Sequence, residues 1–157
     1  RHLVDVLAQV NCTKLAFIDA CYSGGIGTVD AIAGSKGSID ARRDLSGALN
    51  QLLAAQAGLR ALASCQAEEQ SYEDATWENG AFTEAILEAF ANKEVKGING
   101  ILQANTNDAI LTMAELHYFL TQRVPYLARK EKGAKALQTP YLVEKYLDEE
   151  LPLFFYK

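Results

Sequence analysis

The spacing of apolar residues along the chain predicts alternating helices and strands. Leu3, Val4, Leu7 and Val10 recur at the period of a helix, so we expect a helix over residues 2–10. Similar spacing predicts three more helices, over residues 45–53, 82–90 and 113–124. The run 15–18 is continuously apolar, which is typical of a strand buried on both faces, and the segment "LRALASC" (59–65) predicts a second buried strand.

Polar stretches separate these elements. Residues 22–43, rich in Gly, Ser and Asp, and residues 66–80 are predicted to be loops. A further strand is expected near residues 141–146, and residues 151–157 form either a last strand or an extended tail. Alternating buried strands and helices predict an α/β fold with a mostly parallel sheet that helices cover on both faces.

Size, composition and charge narrow the function classes. The 157 residues suffice for one domain with a core, and 49% hydrophobic with 22% charged residues is an ordinary globular balance. The formal net charge of -5 argues against a nucleic-acid partner. No apolar run approaches the roughly 20 residues that span a bilayer, so no membrane partner is expected. The opening at Arg1, inside a predicted helix, indicates a fragment or a processed chain.

The three cysteines, Cys12, Cys21 and Cys65, show neither a disulfide framework nor zinc-ligand spacing. We therefore expect no metal site and a reducing compartment, the cytoplasm. Cys21 is the candidate nucleophile, because in "KLAFIDACYSGG" it follows a predicted strand and precedes two glycines that allow a sharp turn. The alternative is a buried structural cysteine. A hydrolase-type elbow is disfavoured, since Asp19 and Ser23 stand where that motif has glycines.

Several motifs in order resemble metacaspases and bacterial caspase-like peptidases. The segments that carry the resemblance are "DACYSG", "LASCQAEEQSYED", "WENGAFTEAILEAF", "ILTMAELHYFLTQRVP", "LQTPYL" and "LPLFFY". They cover nearly all of residues 1–157. The resemblance implies a caspase-like, three-layer α-β-α sandwich with a mostly parallel sheet, of which this chain supplies the C-terminal, nucleophile-bearing half.

The same resemblance implies a cysteine endopeptidase with a Cys-His dyad. Cys21 is then the nucleophile, and its backbone N–H contributes to the oxyanion hole. The family's histidine precedes a glycine, whereas His2 precedes Leu3 and His117 precedes Tyr118. We therefore expect the histidine to come from an upstream segment or a second chain. The alternative is a catalytically inactive caspase-like module that binds peptides or serves as a scaffold.

The resemblance also implies a substrate site for a polypeptide. Asp19 matches the aspartate that pairs with Arg or Lys in the primary specificity pocket, and Glu73 matches a second acidic position there. Ser71 and Tyr72 fall where the family pairs its substrate as an added strand. The simpler interpretations are a loop cap for Asp19 and a surface charge for Glu73. We therefore predict cleavage after Arg or Lys.

No cofactor is expected, except that many metacaspases are activated by calcium. The segment "NTNDAILTMAEL" has alternating polar residues and a later glutamate, as a calcium loop does. It lacks the invariant glycine and the dense acidic ligands of such a loop. Calcium activation is therefore left open.

Overall fold

The computed structural model describes residues 9–19, 59–66, 69–106, 108–143 and 151–157. In chain order, these form nine strands and two helices, labelled here as they occur. They are β1 (Lys14–Ile18), β2 (Leu59–Ala63), β3 (Glu73–Asp74), β4 (Asn79–Gly80), α1 (Ala81–Phe90), β5 (Val95–Gly97), β6 (Gly100–Leu102), β7 (Ile110–Thr112), α2 (Met113–Lys132), β8 (Tyr141–Val143) and β9 (Pro152–Phe155).

The largest described sheet has the order β1-β2-β8. β1 and β2 are parallel, with Phe17 opposite Leu62, while β8 runs antiparallel to β2. The two predicted strands at 15–18 and 59–65 are therefore present, and the strand expected near 141–146 is β8. The chain has the α/β character that the apolar pattern predicted.

Side chains of this sheet alternate between two faces, as the pleat requires. Leu15, Leu62 and Leu142 lie on the face that packs against the main core. Ala16, Ile18, Ala61, Ala63 and Tyr141 form a smaller cluster on the other face. Asp19 directly follows β1 and is an even number of positions after Leu15, so the alternation of the strand places both side chains on the same face.

The main core lies between this sheet and the two helices. α1 contributes Phe82, Ala85 and Ala89, and α2 contributes apolar residues along most of its length: Met113, Leu116, Phe119, Leu120, Val124 and Leu127. These residues recur every three or four positions, which gives each helix one apolar face. Both helices predicted over residues 82–90 and 113–124 are confirmed.

Helix α2 is longer than its apolar pattern predicted, since it continues through Pro125 to Lys132. Pro125 is buried in the core, so the packing of this segment outweighs the hydrogen bond that a proline removes from a helix. The helix begins with a capping box in which the Thr112 hydroxyl accepts from the Glu115 N–H.

Short strands occur in segments that lack a strand-like apolar pattern. The predicted loop 66–80 contains the hairpin β3–β4, and residues 95–102 form a second hairpin, β5–β6. The closing segment is a strand, since β9 pairs antiparallel with β7. The predicted loop 22–43 and helix 45–53 lie outside the described residues, as do residues 2–8 of the first predicted helix.

Burial differs between the two parallel strands. Ala61, Leu62 and Ala63 of β2 are at most 1% exposed, whereas Phe17 of β1 is 40% exposed. β2 has a partner on each edge, and β1 has one partner among the described residues. β1 is therefore less buried than a continuous apolar run predicts.

Candidate active site

The candidate site lies where β1 and β2 end. Because the two strands are parallel, their carboxyl ends meet at one edge of the sheet, and the Ser64 N–H donates to the Ile18 carbonyl there at 2.9 Å. The chain continues from β1 into Asp19 and, two residues later, Cys21. Cys21 itself lies outside the described residues, so its predicted role stays a prediction.

Asp19 is held by three hydrogen bonds from neutral groups. The Ser71 hydroxyl donates to Oδ1 at 2.7 Å, and the Thr83 hydroxyl donates to Oδ2 at 2.6 Å. The Thr83 backbone N–H also donates to Oδ2, at 3.3 Å. The exposed carboxylate has no ion pair among the residues that the structure describes. The hydrogen bonds thus hold the carboxylate in a fixed orientation.

These contacts make Asp19 a cap for α1. The N-cap residue of that helix, Gly80, provides no side-chain hydrogen bond. Asp19 reaches the free N–H of Thr83 in the first turn instead, where a negative charge also interacts favourably with the helix dipole. The capping interpretation from the sequence and the pocket interpretation are therefore compatible for this carboxylate.

Gly80 makes room for the carboxylate. A Cβ atom at this position would lie 2.3 Å from Oδ2 of Asp19, which is closer than such atoms approach. The backbone of Gly80 is in an ordinary extended conformation, with φ of -78°. The absent side chain, and not an unusual backbone angle, is what allows the contact.

A buried glutamine supports the segment that contains Ser71. Gln138 is fully buried, and its Nε2 donates to the Ser71 hydroxyl at 3.1 Å and to the Ser64 carbonyl at 3.2 Å. Its Oε1 accepts from the Tyr72 N–H at 2.9 Å. The next residue, Thr139, donates from its N–H and its hydroxyl to the Glu69 carboxylate. The chain at 138–139 thereby ties residues 69–72 to the end of β2.

The four predicted substrate residues are not equally close to this centre. Asp19 and Ser71 are in contact, while Tyr72 adjoins them with its N–H committed to Gln138 and its carbonyl accepting from the Ala81 N–H. Glu73 is exposed and pairs with Gly80 in the β3–β4 hairpin. Strand pairing with a substrate therefore cannot use the Tyr72 N–H unless the bond to Gln138 opens.

His117 and Glu115 lie on the first turns of α2. His117 is half-buried, and burial lowers its pKa, so its imidazole is neutral at pH 7. Both oxygens of Glu115 accept hydrogen bonds, from the backbone and hydroxyl groups of Thr106 and Thr112. Within the described ranges, no three His, Cys, Asp or Glu side chains are grouped so that they could hold a metal. Calcium activation stays an open prediction.

Sequence reasoning missed Gly80, Thr83 and Gln138 as members of this site. Each lies in a segment that carried the family resemblance, "WENGAFTE" or "LQTPYL". Those segments indicated membership, but only the folded chain shows that they meet the end of β1.

The chain belongs to the caspase domain family, whose model matches residues 2–148. This membership supports a cysteine peptidase, hence a hydrolase that acts on polypeptides. No curated protein and no solved structure matches the chain. Neither α1 nor α2, the helices of the described ranges, is long and apolar enough to cross a membrane.

Proposed function

We propose that the chain is the nucleophile-bearing part of a metacaspase-type cysteine endopeptidase that cleaves after Arg or Lys. The family match and the location of Asp19 at the carboxyl end of β1, two residues before Cys21, support this proposal. The finer architecture, a three-layer sandwich around a mostly parallel sheet, is part of the proposal. The parallel β1–β2 pair with α1 and α2 on one face is compatible with it.

In this proposal, Cys21 and a histidine form the dyad. The histidine accepts the thiol proton, and the thiolate attacks the carbonyl carbon of the scissile bond. The Cys21 N–H stabilises the oxyanion that develops. The imidazolium then protonates the leaving amine, and a water molecule deprotonated by the imidazole hydrolyses the thioester, which frees Cys21.

The observation that carries the specificity is the carboxylate of Asp19, which has no cationic partner among the residues that the structure describes. A carboxylate has about four acceptor positions, and the three donors described above leave one in place for a ligand. A cationic side chain adds the charge that these neutral donors do not supply. A guanidinium or ammonium group beside Asp19 thus gains a charge-assisted hydrogen bond.

The dyad histidine is proposed to come from an upstream segment or a partner chain. β1 has one partner strand among the described residues, and its Phe17 is 40% exposed. An additional strand on that edge would cover this side chain and pair with the free backbone groups of an edge strand. We propose that the strand carrying the histidine occupies this edge.

Other expectations are retained as proposals. Tyr72 and Glu73 would flank the substrate, with Glu73 contributing a second negative charge. Cys12 and Cys65 form no disulfide with each other in the described part of the chain, which suits a reducing compartment such as the cytoplasm.

Labelling of the full-length protein with a peptidyl-arginine chloromethyl ketone tests the proposed function. Mass spectrometry should locate the label on Cys21, and Cys21→Ala should abolish it. Exposed Cys12 and buried Cys65 are internal controls for nonspecific alkylation. Failure to label Cys21, or equal labelling of Cys12, would refute the peptidase and favour the inactive peptide-binding module.

A further inference from the structure

We propose that Gln138 is a positioning residue for the arginine and lysine pocket, acting on Asp19 through the hydroxyl of Ser71. This inference rests on the proposed function, because it concerns the same pocket. Gln138 lies more than a hundred positions after Asp19 and does not touch it. The relation between the two exists only in the folded chain.

The hydrogen bonds determine how the Gln138 amide is oriented. The Tyr72 N–H can only donate, so the amide atom facing it is the oxygen, at 2.9 Å. The Ser64 carbonyl can only accept, so the atom facing it is the nitrogen, at 3.2 Å. The remaining N–H of the amide is then directed at the Ser71 hydroxyl oxygen, at 3.1 Å.

The amide in turn determines the direction of the Ser71 proton. A hydroxyl has one proton, and the N–H of Gln138 occupies one of its acceptor positions. An ionised carboxylate can only accept, so the Ser71 proton is directed at Oδ1 of Asp19, at 2.7 Å. The series Gln138–Ser71–Asp19 therefore has a single direction of donation and ends on the carboxylate.

The burial of Gln138 makes this anchor rigid. The residue is fully buried, and a buried amide is costly unless its polar atoms are bonded, as they are here. Asp19, by contrast, is exposed and would otherwise sample other side-chain rotamers. A binding group needs neighbours that hold it close to its productive geometry, and Gln138 supplies that restraint from inside the protein.

The test compares full-length variants on two peptides that differ only in Arg or citrulline, its neutral isostere, at the residue before the scissile bond. Ser71→Ala removes the donor to Asp19, and Gln138→Met removes the amide while keeping a side chain of similar length. Ser71→Thr retains a hydroxyl and serves as the rescue. Thr121→Ala is the matched control, because its hydroxyl donates to the Tyr118 carbonyl within α2.

We expect Ser71→Ala and Gln138→Met each to reduce the Arg-to-citrulline ratio of kcat/KM by about 5-fold, the usual effect of one hydrogen bond. The loss should appear in KM for the Arg peptide, and the kinetic constants for the citrulline peptide should change less. Ser71→Thr should restore most of the ratio, and Thr121→Ala should keep it. If Gln138→Met does not fold, Ser71→Ala and its rescue decide the outcome.

The two proposals fail in different ways. A wild-type protein that cleaves both peptides equally contradicts the basic specificity itself. A wild-type preference for Arg that survives unchanged in Gln138→Met or in Ser71→Ala overturns the positioning role alone, because each variant breaks the series from Gln138 to Asp19. A uniform loss of kcat on both peptides would also overturn it, because that result indicates general damage to the fold.

Discussion

Two carboxylates in this protein are held in contrasting ways. Glu88 on α1 is buried and paired with Arg123 on α2, with two hydrogen bonds of 2.6 and 2.7 Å. A third donor of the guanidinium reaches the Lys96 carbonyl at 2.7 Å. Asp19 is exposed and is bonded to Ser71 and Thr83, neither of which carries a charge.

The comparison indicates that Glu88 has a structural role, whereas Asp19 is available to a ligand. The charge of Glu88 is neutralised by a residue of the same chain, and the pair joins the two helices. The charge of Asp19 is oriented by neutral donors and has no counter-charge within the described ranges, at the edge of the sheet where ligands of α/β proteins bind. An oriented carboxylate of this kind can pair with the cationic side chain of a substrate Arg or Lys.

The largest effect should come from breaking the buried pair. Glu88→Gln leaves the guanidinium of Arg123 without its counter-charge, and we expect a loss of about 3 kcal/mol in the free energy of unfolding. The control is Glu131→Gln, which breaks the surface pair with Lys130 and should cost far less, because water screens exposed pairs. Urea unfolding measures both. Equal losses would contradict the distinction between buried and exposed pairs.

At Asp19 we expect the reverse: removing the charge should change stability little and activity strongly. Asp19→Asn removes the charge but keeps a side chain that can cap α1, because Asn and Asp are similar in caps. We expect a loss of under about 0.5 kcal/mol in unfolding free energy. Cleavage after Arg should fall about 10- to 100-fold, the value of a hydrogen bond to a charged group.

The matched variant Asp19→Ala also removes the cap of α1, and we expect it to lower the free energy of unfolding by about 1 kcal/mol. Unfolding curves and kcat/KM of the same preparations report both quantities. An Asp19→Asn protein that is destabilised yet still prefers Arg would show that the carboxylate serves the fold alone.

A variant at Gly80 tests whether the position of the Asp19 carboxylate matters in addition to its charge. Gly80→Ala introduces a methyl group 2.3 Å from Oδ2, so the carboxylate must move while its charge remains. We expect kcat/KM for Arg peptides to fall about 10-fold, with a smaller change for neutral ones, because one charge-assisted contact is lost. Unchanged kinetics would mean that the position of Asp19 does not matter.

The smallest expected effect is a change in stability at Glu115. Like Asp19, this carboxylate accepts hydrogen bonds from neutral donors at the start of a helix, here α2. Burial alone would raise its pKa, but the hydrogen bonds from Thr106 and Thr112 outweigh burial and lower it. Glu115 therefore contributes stability above its ordinary pKa, and this contribution is lost as the pH falls through the lower folded pKa.

Glu115→Gln should cost under about 1 kcal/mol at pH 7, because glutamine also serves in a capping box. Urea midpoints between pH 7 and pH 2.5 should show the two proteins converging in acid. A difference that stays constant over this range would contradict the assignment.

The sequence predicted the elements better than the contacts between them. The helices at 82–90 and 113–124 and the strands at 15–18 and 59–65 followed from apolar spacing, since burial of one face or of a whole strand leaves a local pattern. The hairpins β3–β4 and β5–β6 were missed because strands of two or three residues are too short to show a period.

The candidate site was predicted in part. The motif around Asp19 marked the end of β1, and the resemblance assigned Ser71 to the substrate strand, which stays a prediction; the contact between Ser71 and Asp19 is new from the structure. Thr83 and Gln138 could not be predicted as members, because they approach through α1 and through the irregular segment before β8. Sequence spacing does not record such long-range contacts.

The most direct test of the central claim is the ratio of kcat/KM for two peptides that carry Arg or citrulline before the scissile bond, measured on the wild-type protein. If the Asp19 carboxylate binds a cationic side chain, the Arg peptide should be preferred by about 10-fold or more, since only the charge differs. Equal cleavage of the two peptides, or turnover only after Asp, would contradict the account.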